Sequence, residues 1–440
     1  MLVTAFVAAQ LAGTLELLDT TRVDARWTYP LTNDIVFVPR HEEVVIAGDA
    51  STIPLARMAL QSPHLRLTMT YAPNITAPDF ELPEPVQVLQ TLIAAATLRE
   101  REVTVTLQES AAYGQLNTTY LYGGGGASGA TQGLPTQMMT GTGAAETGGS
   151  ATGGATTSGT TPAIPATITY RSTLTTALMT ARLSRRYIVT VSGGYQASGG
   201  LEASDRAYVP LQYGPFGLAS LFYRLSAHDS VGATANAIET TTYGACPPPL
   251  TGNAPPITAI CRTESLTSIL QANVRHAFSA QTNLTAGAGV GVAIAPAQVE
   301  IEPGVVPEDL EILPYAAVTV LHRFNELDSL LLTTQLGPVI DSRLGLPDER
   351  VQALLRLTEA VTDRITMLAT GSIMQSVPVI SDPYPITALN ASIESRTRID
   401  RQLTVVLGIS GLWQSQAGYG DVGSLVAYAG VIGRLPMIKF

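Results

Sequence analysis

Lysine is almost missing from this chain of 440 residues: Lys439 is the only one, and every other basic residue is arginine. Charged residues make up 14% of the sequence, well below the quarter or so that is usual in soluble domains. The net charge is −10 and no block of basic residues occurs. The composition therefore argues against nucleic acid as a partner.

Long apolar runs are missing as well. No stretch of about 18 apolar residues occurs, so the sequence predicts no transmembrane helix. Mean hydropathy is nevertheless positive, at +0.21. An apolar chain without a spanning helix leaves two fold classes, a soluble protein with a very dry core or a transmembrane β-barrel.

Cysteine is scarce, since Cys246 and Cys261 are the only two. They flank a proline-rich loop, and a disulfide between them would close a loop of about 15 residues and contribute roughly 3 kcal/mol. Such a bond requires an oxidising compartment. Two free thiols are the alternative.

Residues for catalysis or metal binding do not form a pattern. The five histidines are scattered, and no pair has the spacing of a metal site. A barrel enzyme, such as an outer-membrane protease or phospholipase, would need Ser/His or Asp/His groups that converge at one rim. The sequence brings no such set together, so we expect no catalytic residue, no metal and no cofactor.

What the sequence has is alternation. Residues 163–198 predict a hairpin of two long strands, in which Ile168, Tyr170 and Leu174 share one parity and the threonines share the other with Arg171. We expect the apolar parity to face lipid and the threonine parity to face water. Strands this long exceed the five or six residues usual in soluble sheets and suit a transmembrane barrel.

The connections between predicted strands alternate in length. Short turns fall near residues 62, 100, 184, 227, 279, 326, 363 and 400, and longer loops fall between them. Outer-membrane barrels have short periplasmic turns and longer outer loops, and they have an even number of strands. The predicted fold is therefore all-β, a single transmembrane antiparallel barrel of about 18 strands.

Three segments differ in character. Residues 1–9 are apolar and end in small residues, which indicates the remnant of a signal peptide, although a first strand that begins early fits too. Residues 10–440 form the predicted barrel. Residues 117–162 are a low-complexity Gly/Thr/Ala/Ser insert, which we expect to be a disordered outer loop.

Charged side chains on the inward parity are the candidate lumen residues. Together with Gln, Asn and Thr they suit a polar, hydroxylated substrate such as a sugar chain, although pore wetting explains any single one of them equally well. The set is Arg22, Asp24, Arg26, Arg66, Arg171, Arg275, Arg350, Arg356, Glu394 and Arg396.

Short motifs along most of the chain resemble a family of myxobacterial outer-membrane β-barrels linked to exopolysaccharide export by the Wzx/Wzy route. The motifs are residues 27–30 (WTYP), 65–73 (LRLTMTYAP), 183–186 (LSRR), 192–195 (SGGY), 203–207 (ASDRA) and 209–215 (VPLQYGP). The terminal Phe440 also resembles the C-terminal signal that the barrel-assembly machinery recognises.

The resemblance implies an 18-stranded barrel in the outer membrane of a Gram-negative bacterium, serving as the outer-membrane part of a polysaccharide translocon. It implies as partners membrane lipid, the barrel-assembly machinery, the polysaccharide itself and a periplasmic polysaccharide export protein that lacks its own outer-membrane segment. A general or sugar-selective porin is the second interpretation, and a structural or adhesive surface barrel is the third.

The two cysteines give a first test. We expect a disulfide between Cys246 and Cys261, so that intact protein reacts with a thiol reagent only after reduction. Mass spectrometry of the labelled protein measures this, and labelling of both thiols without reductant would refute the bond.

Overall fold

The computed structural model describes residues 12–29, 45–77, 86–117, 167–245, 260–296, 308–340, 347–378, 386–416, 420–436 and 438–439. The strands are β1 Ala12–Tyr29, β2 Val45–Gln61, β3 Leu65–Tyr71, β4 Asn74–Ala77, β5 Gln87–Arg99, β6 Val103–Asn117, β7 Thr167–Arg182, β8 Tyr187–Gly200, β9 Leu211–Arg224, β10 Asp229–Ala245, β11 Ile260–Ala277, β12 Thr282–Pro296, β13 Glu308–Arg323, β14 Ser329–Ile340, β15 Pro347–Ala360, β16 Ile365–Pro378, β17 Ile386–Arg398, β18 Leu403–Gln416, β19 Gly420–Arg434 and β20 Ile438–Lys439. A short helix, α1, spans Ala203–Tyr208.

These strands form one closed antiparallel sheet. Strand β1 pairs with β2 on one side and with β19 on the other, which closes the wall. Strands β3 and β4 share one position between β2 and β5, and β20 follows β19 and pairs with the start of β1. The barrel therefore has 18 strand positions, and the predicted fold class is confirmed.

The outer surface carries two rows of tyrosines. Tyr213 stacks with Tyr195 and Tyr243 at centroid distances of 6.5 and 6.0 Å, while Tyr187 and Tyr223 meet at 4.8 Å nearer the short turns. Tyr213 and Tyr223 are ten residues apart on β9, which is about 33 Å along the strand and about 25 Å of height at a tilt of about 40°. That height matches the apolar band of an outer-membrane barrel.

Six of the short turns are built in the same way. The second residue after the strand carries a side-chain oxygen that accepts hydrogen bonds from the backbone N–H groups two and three residues later, at 2.6–3.2 Å. Hydroxyl, Asn and Asp side chains suit such turns because they replace a missing backbone acceptor. The six residues are Ser184, Ser226, Ser279, Asn325, Thr362 and Asp400. The predicted positions of these turns are confirmed.

The two faces of strand β7 are reversed relative to the sequence prediction. Ile168, Tyr170 and Leu174 are buried on the inner face, whereas Arg171 lies on the outer parity opposite Tyr113, which is 57% exposed. The prediction that the threonine parity faces the lumen was wrong for this strand. Helix α1 contacts β7, and the Asp205 carboxylate accepts a hydrogen bond from the Thr169 N–H at 3.2 Å, so apolar side chains are favoured inside.

Glu109 places a charged side chain on the outer face of β6, and the sheet is regular at this position. Glu109 lies on the outer parity, as the sequence predicts, and the pairing of β6 with β7 runs without interruption past it. The Thr175 hydroxyl of β7, also outward, donates a hydrogen bond to its carboxylate. The outward Thr175 thus partners this acid within a regular sheet.

Two elements narrow the outer half of the lumen. Helix α1 contacts β10 and β11, whose inward Thr242 and Thr263 are almost fully buried. On another part of the wall, the outer ends of β14 and β15 contact β12, and β14 also contacts β11. A Cβ at the inward-facing Gly291 of β12 would lie 2.4 Å from Cγ of Pro338, so β14 crosses the inner face here.

That crossing follows from a break in the wall between β13 and β14. Their pairing ends at Ala316 and Leu336, although both strands continue. Two steps further, the same register would place Pro314 opposite Pro338. Proline has no N–H to donate to a ladder, so prolines on both strands favour the end of pairing here. We call this break the proline seam.

Several predicted features lie outside the described residues. They are the signal-peptide remnant at residues 1–9, nearly all of the insert at residues 117–162, Cys246 and Phe440. Cys261 is described only as backbone of β11. No helix in the described ranges is long and apolar enough to cross a membrane.

Packing at the proline seam predicts a glycine effect. A Cβ at Gly337 would lie 2.5 Å from the buried Tyr315 ring, whereas a Cβ at Gly371 would meet nothing within 4 Å. We therefore expect Gly337→Ala to lower the midpoint of heat-induced unfolding, followed by gel mobility. Gly371→Ala is the matched control and should leave that midpoint unchanged or slightly higher. Equal midpoints for both variants would contradict the described contact.

Candidate functional site

The inner wall of the barrel is polar along much of its height. Buried inward side chains bond to one another across strands: Asn273 Nδ2 donates to Thr234 Oγ1 at 2.9 Å, and Asn236 Oδ1 accepts from the Ile269 N–H at 3.0 Å. Other buried inward groups include Thr91, Ser110, Ser172, Gln271, Ser410 and Gln414. Many of the groups on the inner wall are therefore hydrogen-bonding side chains that the wall itself holds in place.

A cluster of charges surrounds Tyr428 on one side of the lumen. The Arg22 guanidinium lies 3.8 Å from the Tyr428 ring centroid and pairs with Asp24. The Tyr428 hydroxyl donates to Glu394 Oε2 at 2.9 Å, and Arg396 pairs with the other oxygen of Glu394. Glu394 is 3% exposed and Tyr428 is 5% exposed, so this network is a built feature of the wall. We call it the Tyr428 cluster.

A cavity of about 650 Å³ lies against the Tyr428 cluster. It is also lined by Thr68 and Thr70 of β3, by Arg434, which pairs with Glu16 at 3.4 Å, and by aliphatic side chains such as Leu18 and Val406. Hydroxyls, guanidinium groups and carboxylates on one concave wall can exchange hydrogen bonds with a hydroxyl-rich molecule.

Arginine marks the ends of the strands that run into the short turns. Strands β5, β7, β9, β13, β17 and β19 each end on an arginine, and each of these residues lies on the inward parity. Further inward arginines lie within four residues of that edge. The whole set, here called the arginine belt, is Arg57, Arg66, Arg99, Arg182, Arg224, Arg275, Arg323, Arg356, Arg396, Arg398 and Arg434.

Part of the arginine belt surrounds a second cavity of about 610 Å³ at the short-turn mouth. Its charged lining is Arg101, Arg182, Arg186, Arg224 and Arg275, together with the acids Glu100, Glu102 and Asp229. Arg186 donates to Tyr223 Oη at 3.0 Å, and this hydrogen bond raises the pKa of the Arg186 guanidinium.

The predicted lumen residues fall into three groups. The inward parity holds Arg22, Asp24, Arg66, Arg275, Arg350, Arg356, Glu394 and Arg396. Of these, the Tyr428 cluster brings together Arg22, Asp24, Glu394 and Arg396. Arg26 belongs to β1, but its side chain lies outside what the structure describes. Arg171 faces outward, so its predicted place in the lumen was wrong.

Arg350 and Arg356 share β15 but differ in surroundings. Arg356 is exposed near the short-turn end, whereas Arg350 is 4% exposed near the narrowed outer half, beside the register position of Asp348. Because it is buried, Arg350 belongs to the packed region where the outer ends of β14 and β15 lie against the inner wall. We therefore expect only Arg356 to be replaceable without loss of folding.

Sequence reasoning missed Tyr428 and most of the arginine belt. Tyr428 was overlooked because a tyrosine on either parity of a barrel strand resembles a girdle residue. The belt had a usable signal, since arginine recurs as the residue before Leu183, Leu225, Phe324, Ile399 and Leu435, at or near the start of a short turn. No group of three or more His, Cys, Asp or Glu within the described ranges is arranged to hold a metal ion.

A closed antiparallel barrel with an apolar outer band, two tyrosine rows and polar groups in its lumen defines an outer-membrane β-barrel. The chain belongs to the EpsX exopolysaccharide export family, which it matches over residues 19–382. This is a family of transport barrels, and the predicted resemblance to an exopolysaccharide export family of outer-membrane barrels is confirmed.

Solved barrels resemble the chain in fold. The FrpB iron transporter from Neisseria meningitidis (F3-3 variant) is 8% identical, with a TM-score of 0.47 over 91% of this chain and 64% of that one. OpdK from Pseudomonas aeruginosa is 7% identical, with a TM-score of 0.45 over 95% and 99% of the two chains. The chain thus spans 64% of the length of FrpB. No curated protein matches it by sequence.

The Tyr428 cluster predicts a burial-dependent effect on stability. Glu394→Ala removes a buried carboxylate that accepts hydrogen bonds from both Tyr428 and Arg396. We therefore expect the free energy of unfolding to fall by about 1–3 kcal/mol. Urea unfolding in lipid vesicles measures it. The control is Glu264→Ala, which breaks the exposed pair with Arg262 and should change stability little. A similar small change in both variants would show that the cluster is solvated.

Proposed function

We propose that this barrel is the outer-membrane channel of a polysaccharide export system in a Gram-negative bacterium and acts without catalysis. The observation that carries the proposal is the polar part of the inner wall, which holds the Tyr428 cluster and the arginine belt inside a closed barrel of the exopolysaccharide export family. An 18-stranded barrel is wide enough for an aqueous channel.

The geometry suggests how a polymer would pass. Every residue of a sugar chain carries hydroxyl groups. As the chain moves, each sugar in turn can replace its hydrogen bonds to water with hydrogen bonds to side chains of the inner wall. Inward Thr, Asn and Gln side chains provide many weak, equivalent partners, and weak repeated sites allow entry and release. Membrane lipid surrounds the apolar band, and we propose the barrel-assembly machinery and a periplasmic polysaccharide export protein as further partners.

A sugar-selective porin is the second candidate. Cavities of about 650 and 610 Å³ lie on the lumen wall, and each is large enough for a short oligosaccharide. A porin would admit such molecules from outside, while an export channel would release a long chain. The direction and size of the transported molecule therefore separate the two functions.

Deletion of the chain in its own bacterium tests export. We expect surface polysaccharide to fall to background and to return with the wild-type chain, as measured by immunoblot of secreted and cell-bound polymer. Uptake of a labelled trisaccharide should stay unchanged. Normal secretion with reduced uptake would favour the porin instead.

Two neighbours on β13 make the test specific to the lumen. Thr319 faces inward, where its hydroxyl lies 3.5 Å from that of Thr333, and Val318 is exposed on the outer face. A bulky water-soluble maleimide should label Thr319→Cys and reduce secretion. Val318→Cys should escape labelling in the membrane and leave secretion normal. Secretion that persists after complete labelling of Thr319→Cys would argue against passage through this lumen.

A further inference from the structure

We propose that the exported polymer is anionic and that the arginine belt binds its carboxylate, sulfate or phosphate groups at the short-turn mouth. This inference rests on the proposed export function and adds the chemical class of the substrate. It follows from the balance of charge on the inner wall, from the direction in which the arginines face and from guanidinium chemistry.

The balance of charge is strongly one-sided. Within four residues of the short-turn edge, the inward parity of the described strands carries eleven arginines and two acids, Glu16 and Glu394. Glu16 pairs with Arg434 and Glu394 with Arg396. None of the other nine belt arginines forms an ion pair with a described residue. The inward parity at this end therefore carries an excess of positive charge, in a protein whose net charge is −10.

The arginines of the belt lie on the inward parity of the strands, where these end at the mouth of the bore. The short turns, which a docked protein would touch first, are balanced: they hold five arginines and six acids. The arginines are Arg101, Arg185, Arg186, Arg364 and Arg401, and the acids are Glu100, Glu102, Glu326, Asp328, Asp363 and Asp400. An acidic partner protein would select positive turns, so the observed distribution favours a ligand inside the mouth.

Some belt residues are held in place by the wall. Arg224 Nε donates to the Ser226 carbonyl at 3.0 Å, and Arg398 Nη2 donates to the Asp363 carbonyl at 3.0 Å. Arg275 lies 5.9 Å from the Phe222 ring centroid. Each contact uses only part of a guanidinium that has five N–H donors, so donors remain for a ligand.

Guanidinium groups are suited to anions of this kind. They bind carboxylates, phosphates and sulfates through two parallel hydrogen bonds, and they stay charged. Rings of arginine also select anions in other pores. Neutral sugars would need hydroxyl and amide partners only, which the rest of the wall already provides. The belt therefore adds selection for charge to a wall that suits hydroxyls.

The sign of the inner wall changes toward the outside. Among the described side chains of the outer half, the inward acids are Asp24, Asp49, Glu311 and Asp348, and the inward arginines are Arg22 and Arg350. The short-turn mouth therefore attracts an anionic chain, and the outer half of the lumen binds that chain less tightly. Such a gradient favours entry from one side.

Purified barrel in detergent tests the inference without reference to transport. The probes are a short polygalacturonate chain and a dextran chain of equal length, with binding measured by calorimetry at low and physiological salt. We expect polygalacturonate to bind more tightly than dextran and to weaken with salt. In Arg182→Gln/Arg224→Gln/Arg323→Gln, its affinity should fall about tenfold or more, with dextran unaffected.

The matched control is Arg185→Gln/Arg364→Gln/Arg401→Gln. It removes the same charge from the same end of the barrel, but from the turns and not from the bore. We expect polygalacturonate affinity within about twofold of wild type. Planar-bilayer current gives a second measurement, in which polygalacturonate added to one chamber should block wild type and this control but not the belt variant.

The outcomes separate the two proposals. Equal binding of dextran and polygalacturonate, or equal losses in both triple variants, would overturn the anionic substrate while leaving export untouched. A deletion strain that secretes normally would refute export even if polygalacturonate binds the belt. If the turn variant loses secretion and the belt variant keeps it, the positive charge serves a partner protein, and the belt is not the substrate site.

Discussion

Backbone hydrogen bonding inside a membrane is the constraint on which the whole structure depends. No water is available there, so every N–H and C=O group of a spanning segment must find a partner in the protein. The pairing of β1 with both β2 and β19 meets this requirement because it leaves no free sheet edge at the closure. Long strands, an even strand count and short capped turns all follow from the need to complete that ring.

Closure also divides the side chains into two environments. Outward positions meet lipid and are mostly aliphatic, with tyrosines at the two borders. Inward positions are free to carry charge because they meet water and one another. The charged and polar groups of the inner wall are unevenly distributed. Arginine is concentrated near the short turns, a bonded charge network surrounds Tyr428 on one side of the lumen, and packed polar groups lie beneath α1 and the folded-in ends of β14 and β15.

Local pattern was enough to predict the barrel class and the turns, because period-two alternation and Ser/Asn/Asp turn chemistry are properties of neighbouring residues. It was not enough for β7, where serine and threonine occur on both parities and the inner face is covered by a helix that belongs to another part of the chain. The arginine belt also escaped, since its members lie tens of residues apart and share a height only after the strands are in register. Tyr428 needed both its neighbours on β1 and β17 to become recognisable.

The proline seam makes the two halves of the barrel mechanically different. Below the pairing of Ala316 with Leu336, the wall is a complete hoop whose circumference is fixed by hydrogen bonds. Above it, the described parts of β13 and β14 do not pair with each other, so each forms an edge of the sheet. Bending the sheet at these two edges breaks no backbone hydrogen bonds between strands. The outer half of the barrel can therefore change its circumference, while the arginine-lined half keeps a constant diameter.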